Sequence, residues 1–264
     1  LTGPIPVLPE GSTLPATNGI KPPAVVALGG GHGLSATLSA LRLLATALTA
    51  VVTVADNGGS SGRLREALDV LPPGDLRMAL AALCDDTDWG RTWRDVMQHR
   101  FKSRPGVDGS LDNHALGNLL IVTLWELLGD PVAGLQWAGA LLGARGQVLP
   151  MSTHPLTIQG DVLRQTESGL RHETVTGQAE LAVAGTHSNV VNVRLLPSDA
   201  PACPDALTAI ERADWVILGP GSWYTSVLPH LLLPQMREAL CTTSARRCLT
   251  MNLRNETKET AGMS

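Results

Sequence analysis

The sequence predicts an α/β fold: a mainly parallel sheet layered between helices, with a helical insertion and a small antiparallel ribbon region. Three observations predict it. A β-branched apolar run, Ala24 to Leu28, passes directly into a glycine turn and then a helical pattern. A second apolar run, Ala50 to Val54, follows at the spacing of a β-α-β unit. A third, Trp215 to Leu218, again leads into glycines and a helical segment. Such crossovers are right-handed and build parallel sheets covered on both faces, which fixes the class.

Residues 1–22 read as a disordered tail, since they are rich in Pro, Gly, Thr and Ser. They lack the basic and apolar regions of a secretory signal. Residues 23–264 read as one domain, and a chain that opens on Leu1 is expected to be a fragment. After the first strand, Leu34, Leu38, Leu41 and Leu44 fall at helical spacing. From Ser61 to Gly143 the pattern is mostly helical: Gly62–Leu68, Asp75–Cys84, Trp89–Phe101, His114–Leu128 and Val132–Leu142. Asp75 is the expected N-cap of its helix, and Asp130 before Pro131 places proline at the tolerated first helical position of another. Lys102–Asp112 is a polar loop. Beyond Gln147 the period shortens. Val148–Met151, Leu156–Leu163 and Glu173–Val183, with Gly160, Gly169 and Gly177 at turns, read as antiparallel ribbons. Val190–Leu196 is a strand, Asp205–Ala213 a helix, Trp215–Leu218 a core strand and Arg247–Leu253 a last strand.

Composition excludes several function classes. Hydrophobic residues at 44% and charged residues at 17% describe a globular core. A formal net charge of −4 without a basic run, with one Tyr and one Phe, gives no footprint for nucleic acid. Cys84, Cys203, Cys241 and Cys248 lack CxxC spacing, so neither a zinc cluster nor a disulfide framework is expected, and a reducing, cytoplasmic location follows. The apolar stretch Leu119–Trp125 is too short to span a bilayer and reads as a buried helix.

Four segments carry chemistry. Gly31-His-Gly33-Leu-Ser-Ala36 satisfies GxGxxA between a strand and a helix, and Asp56 stands where a ribose-binding acid belongs. This is a Rossmann-like phosphate loop, in which glycines admit phosphate oxygens to the helix N-terminus; a purely structural turn is the alternative. The loop Asp56-Asn57-Gly-Gly59-Ser60-Ser-Gly-Arg63 follows the next strand and can form an amide nest, with two hydroxyls as donors and Arg63 to grip phosphate; a flexible connector is the alternative. Gly219-Pro-Gly221-Ser222-Trp-Tyr224-Thr225-Ser226 is a second strand-to-helix glycine loop, placed to share a ligand with the first if their strands are neighbours. Asn113-His114-Ala-Leu-Gly-Asn118 puts His114 and Asn118 one turn apart, and Gly74-Asp75-Leu-Arg77 opens a helix; read alone, both are ordinary cap chemistry.

Taken in order, GGGHGLS, VTVADNGGSSGRLRE, LPPGDLRMALAAL, QHRF, HALGNLL, VLP and LGPGSWYTSVLP resemble the YvcK/CofD-like family of gluconeogenesis factors, from Ala24 onward. The resemblance implies a Rossmann-like core related to 2-phospho-L-lactate transferase. It implies binding of UDP-sugars such as UDP-N-acetylglucosamine, with a role in cell shape, cell-wall synthesis and carbon-source use. A homodimer and the cell-wall synthesis machinery are the partners considered. It further implies that Gly30, Gly31 and Gly33 hold phosphate, while Asp56, Asn57, Gly59, Ser60 and Arg63 line the nucleotide crevice. Asp75, Arg77, His114, Asn118, Gly221, Ser222, Tyr224, Thr225 and Asn252 complete it. The family reads Asp-Asp where this chain has Asp56-Asn57, and Asn brings no charge to a hard cation, so Mg2+ at Asp56 would be weakly held. The family also continues beyond residue 264, so a truncated C-terminus is expected.

Three functions compete, in this order: a UDP-sugar-binding regulator without turnover, a transferase moving a phosphate-linked group from a nucleotide donor, and an NAD-binding oxidoreductase. The second needs a metal or base near the diphosphate, which Asn57 weakens. The third needs an acid or base at a nicotinamide pocket, for which only His32 and His114 are candidates.

Overall fold

A computed structural model of the chain describes residues 22–253, apart from residues 46, 105, 108, 167–168 and 186–188. Nearly all of the expected N-terminal tail, and the chain from residue 254 on, lie outside the described residues.

The first half builds β1 (Ala24–Gly29), α1 (Gly31–Leu41), β2 (Ala47–Val52), α2 (Gly59–Leu68), α3 (Pro73–Leu83), α4 (Asp88–Gln98), α5 (Leu116–Leu128), α6 (Pro131–Leu142) and β3 (Gln147–Pro150). With β7 (Trp215–Leu218) and β8 (Arg246–Leu249) the strands form a parallel five-stranded sheet in the order β3-β2-β1-β7-β8. The architecture is α/β and Rossmann-like. The order runs outward in both directions from β1, so the chain reverses between β1 and β7, which pair from Val25↔Trp215 to Leu28↔Leu218. A crevice at the carboxyl ends of the strands belongs at that point.

The sheet forms here because β1 and β2 are continuous apolar runs that helices can cover on both sides. Leu28, Leu34, Leu38, Leu76, Leu80 and Leu149 are fully buried in one core. The helical insertion is punctuated as its sequence demands. Gly129 takes the left-handed conformation after α5 (φ 68°), and Asp130 accepts a 2.9 Å hydrogen bond from the Val132 amide to cap α6, with Pro131 in its first turn.

A second sheet, in the order β5-β4-β6, is antiparallel: β4 (Thr157–Thr166), β5 (Gly169–Thr176) and β6 (Asn189–Leu196), with α7 (Gln178–Gly185) against it. Ile158, Val162, Leu181, Val190 and Leu195 form its buried face, while Arg194 and Asp161 pair at 3.1 Å on the other. The chain then adds α8 (Pro204–Arg212), β7, a π-helical turn (Trp223–Val227), α9 (Leu228–Leu232), α10 (Pro234–Thr242) and β8.

Several expectations are corrected. Val148–Met151 is not ribbon: its segment is β3, paired in parallel with β2 at the sheet edge. Glu173–Val183 divides into the end of β5 and helix α7, because Gly177 (φ 107°) ends the strand. Gly160 is no turn but lies within β4, where a Cβ would stand 2.8 Å from Leu181 Cδ1, so glycine there lets α7 close onto the strand. The helix expected through Leu44 stops at Leu41, leaving Leu44 exposed. The helix expected from Asp75 begins at Pro73, which puts Asp75 in the first turn rather than at the cap. The strand expected over Arg247–Leu253 ends at Leu249.

Candidate functional site

The mouth of the parallel sheet has two halves. The first is made of backbone. Gly30 caps α1 and packs so closely that a Cβ there would lie 2.5 Å from Asp75 Oδ2 and 2.6 Å from Thr53 Oγ1. Gly33 lies against the other glycine loop, where a Cβ would run into the Pro220 carbonyl. The two loops that follow β1 and β7 therefore touch. Thr37 Oγ1 donates to the Gly219 carbonyl at 3.3 Å, and Asn252 clamps Gly221, its Oδ1 accepting from the amide at 3.1 Å and its Nδ2 donating to the carbonyl at 3.0 Å. Gly219 (φ 81°) and Gly221 (φ 147°) hold backbone conformations that L side chains rarely adopt. The Ser222 hydroxyl accepts from the Thr225 amide at 3.2 Å and from Thr225 Oγ1 at 2.6 Å, capping the π-helical turn.

The second half is made of side chains. Ser60 Oγ accepts from Asn118 Nδ2 at 3.0 Å and from the Ala115 amide at 3.3 Å, and lies 3.1 Å from His114 Nδ1. A hydroxyl that accepts twice has its own proton to give, so Ser60 donates to His114 Nδ1 and the ring carries its proton on Nε2. Asn118 Oδ1 in turn accepts from Arg77 Nε at 2.9 Å. Burial, then the charges of Arg63 and Arg100, push the His114 pKa down, which favours the neutral ring.

Two carboxylates sit between the halves. Asp75 accepts from the Gly31 amide and from Thr53 Oγ1. Burial first and the neighbouring Asp56 carboxylate second push its pKa up to about 6, against those hydrogen bonds and the charge of Arg77. Asp56 Oδ1 accepts from the Gly58 amide at 2.8 Å, and Ser61 adds a second bond; burial still raises its pKa. Among the described residues, no three His, Cys, Asp or Glu side chains converge as a metal cluster.

Set against the expectations, Gly30, Gly31, Gly33, Gly221, Ser222 and Asn252 come together around the touching loops. Ser60, His114, Asn118 and Arg77 come together in the network. Ser60 and Ser61, expected as hydroxyl donors to a ligand, are both buried, and Ser61 Oγ accepts from the Gly74 amide at 3.0 Å. Tyr224 is buried and packs with the core residues. Gly59 is exposed in the left-handed region (φ 50°), and Arg63 is exposed at the rim. Sequence reasoning missed Thr53, Arg100 and Glu180, and named Ser226 only as the end of its glycine loop. Thr53 directly follows β2, and Ser226 lies beside Gly30. Glu180 accepts from Asn57 Nδ2 at 2.8 Å and joins the second loop to α7. No spacing signal links residues 57 and 180.

A family model described as 2-phospho-L-lactate transferase CofD matches residues 25–264. The chain belongs to the CofD family. It is 55% identical over 240 residues to the "Putative gluconeogenesis factor" of Mycobacterium tuberculosis, which covers 91% of this chain and 68% of that protein. It is 40% identical over 243 residues to the "Gluconeogenesis factor" of Halalkalibacterium halodurans, covering 92% of this chain and 70% of the relative. A crystal structure of a UPF0052 family protein from Bacillus halodurans superposes with a TM-score of 0.76 at 40% identity, covering 88% of this chain and 69% of that one. Among the described residues, no helix is long and apolar enough to cross a membrane.

Proposed function

We propose that the chain is a regulator that binds a UDP-sugar, UDP-N-acetylglucosamine, and acts on carbon-source use, cell shape and cell-wall synthesis. One observation carries the ligand class: two glycine loops follow neighbouring parallel strands at the switch point and touch at Gly33 and Pro220. The α1 N-terminus between them favours negative charge, and the absent side chains let a diphosphate approach the backbone amides. Asn252 holds the β7 loop in that shape by gripping both polar groups of the Gly221 backbone. Calorimetric titration with UDP-N-acetylglucosamine, with and without magnesium, tests the reading. Saturable binding that ignores magnesium and weakens about tenfold in Asn252→Ala is the expected result, a tenfold loss (about 1.4 kcal/mol) being the size of one neutral hydrogen bond that holds the loop. Absence of binding to the wild-type chain would overturn it.

A second reading, a CofD-like transferase that moves a phosphate-linked group from a nucleotide donor, is favoured by the Asp56 and Asp75 carboxylates. Burial first, and the neighbouring Asp56 carboxylate second, raise the Asp75 pKa, so a cation held between the two would relieve their repulsion. Asp56 and Asp75 would hold Mg2+, which would neutralise diphosphate charge there. Nucleotide binding that requires magnesium would move this reading ahead.

A further inference from the structure

Beside the glycine loops, where α2 meets the start of α5, three arginines gather without an ion-pair partner among the described residues. Arg77 is 4% exposed, and its Nη1 has no hydrogen-bond partner. Its stem lies along Gly117, where a Cβ would stand 2.8 Å from Arg77 Cγ, and its Nε is engaged by Asn118. Arg63 Nη2 donates to the Asp112 carbonyl at 2.6 Å, and Arg100 Nη1 donates to the Asn113 carbonyl at 2.9 Å. These carbonyls belong to the two residues before His114, and Asn113 turns through the left-handed region (φ 58°) to present its own. The loop thus brackets His114 with two guanidinium groups. The nearest acid of that loop, Asp112, is exposed and accepts from the Ser103 amide at 2.7 Å.

A buried cation costs stability unless it is paired or bound, and an unpartnered buried N–H adds to that cost. Asn118 satisfies one nitrogen of Arg77 but no charge. The charges that act on Arg77 are led by another cation, Arg100, with Asp75 opposing it. The Ser60 bond directs the His114 proton to Nε2, which adds a neutral donor to the same corner. We infer that Arg63, Arg77, Arg100 and His114 form a second oxyanion site at the start of α5, which takes a phosphate monoester separate from any diphosphate on the glycine loops. Three guanidinium groups match a dianion with three terminal oxygens, whereas a single carboxylate would leave most of that charge uncompensated. The inference goes beyond the nucleotide reading and rests on it only for where the first ligand sits.

The test is calorimetric titration of the chain with inorganic phosphate at low ionic strength, alongside Arg100→Gln, Arg77→Lys and the control Arg237→Gln on α10. A saturable site is expected whose dissociation constant rises tenfold or more in Arg100→Gln, rises in Arg77→Lys, and stays within twofold in Arg237→Gln. Arg100 is exposed, so its variant remains informative if the buried Arg77→Lys chain fails to fold. The inference is overturned if no site saturates, if Arg100→Gln binds like the wild type, or if malonate fills the site more tightly than phosphate. Titrating UDP-N-acetylglucosamine in parallel keeps the two readings apart, since its binding can fail while phosphate binding persists, and the reverse.

Discussion

The two halves of the mouth are built from different material. Around Gly30, Gly33 and Gly221 the groups that face the crevice are backbone, and what matters is the absence of side chains. Around Ser60, His114, Asn118 and Arg77 they are side chains in a buried network, and what matters is the set of hydrogen bonds that joins them, Arg77 Nη1 alone among their buried polar atoms lacking a partner. The first half should fail when atoms are added, the second when they are removed.

The largest effect is expected from adding atoms to the first half. Gly33→Val drives a side chain into the Pro220 carbonyl, which is backbone and cannot swing aside. A loss of about 3 kcal/mol in urea unfolding is expected, at the upper end of overpacking costs, together with loss of nucleotide binding. A neutral outcome would mean that the two loops are not held in contact. Next comes removal from the second half. Asn118→Leu keeps the volume but strands Arg77 Nε and one acceptor contact of Ser60, with an expected cost of about 2–3 kcal/mol. Ser60→Ala tested with it should be non-additive, because both sit in one network.

A smaller effect, of opposite sign, is expected where the halves meet. The folded pKa of Asp75, about 6, lies above its unfolded value of 3.8, so the folded state holds the proton more tightly. The cost of ionising Asp75 is therefore absent below about pH 4, grows as the pH rises through 6, and is fully present above it. Asp75→Asn should stabilise the ligand-free chain by about 1–2 kcal/mol at pH 8 and by nothing at pH 4, read from thermal unfolding at both values. Equal effects at the two pH values would contradict the assigned cause. The smallest effect is expected from Asn57→Asp, which sets two carboxylates side by side at residues 56 and 57. It places a carboxylate against Glu180 in an exposed contact, for a loss of about 0.5–1 kcal/mol that salt reduces. Magnesium should offset that loss only if Asp56 and its neighbour can share a cation.

The same contrast explains what was legible in the sequence. The backbone half was readable because a strand, glycines and a helix are consecutive, and the period of each neighbour confirms the others. The side-chain half was not legible from the residues alone, because Ser60 and His114 are 54 residues apart: Ser60 read as a donor in a phosphate nest and His114 as cap chemistry, and only the family resemblance set them in one crevice. Within the fold, β3 was mistaken for ribbon because four residues carry no period, and only pairing with β2 distinguishes it. α7 was hidden for a related reason: in Gln178–Gly185 small and apolar residues follow Gly177 without a polar face. Gly160 was read as punctuation when its work is close packing under Leu181, a distinction that exists only in three dimensions.

Hydrogen exchange on UDP-N-acetylglucosamine binding tests the central claim most directly, that the two glycine loops share one ligand. Amides of residues 31–35 and 221–226 should gain protection together and at the same ligand concentration, with the outer strands of the antiparallel sheet unchanged. Protection of one loop alone, or of neither while the ligand binds, would contradict the account.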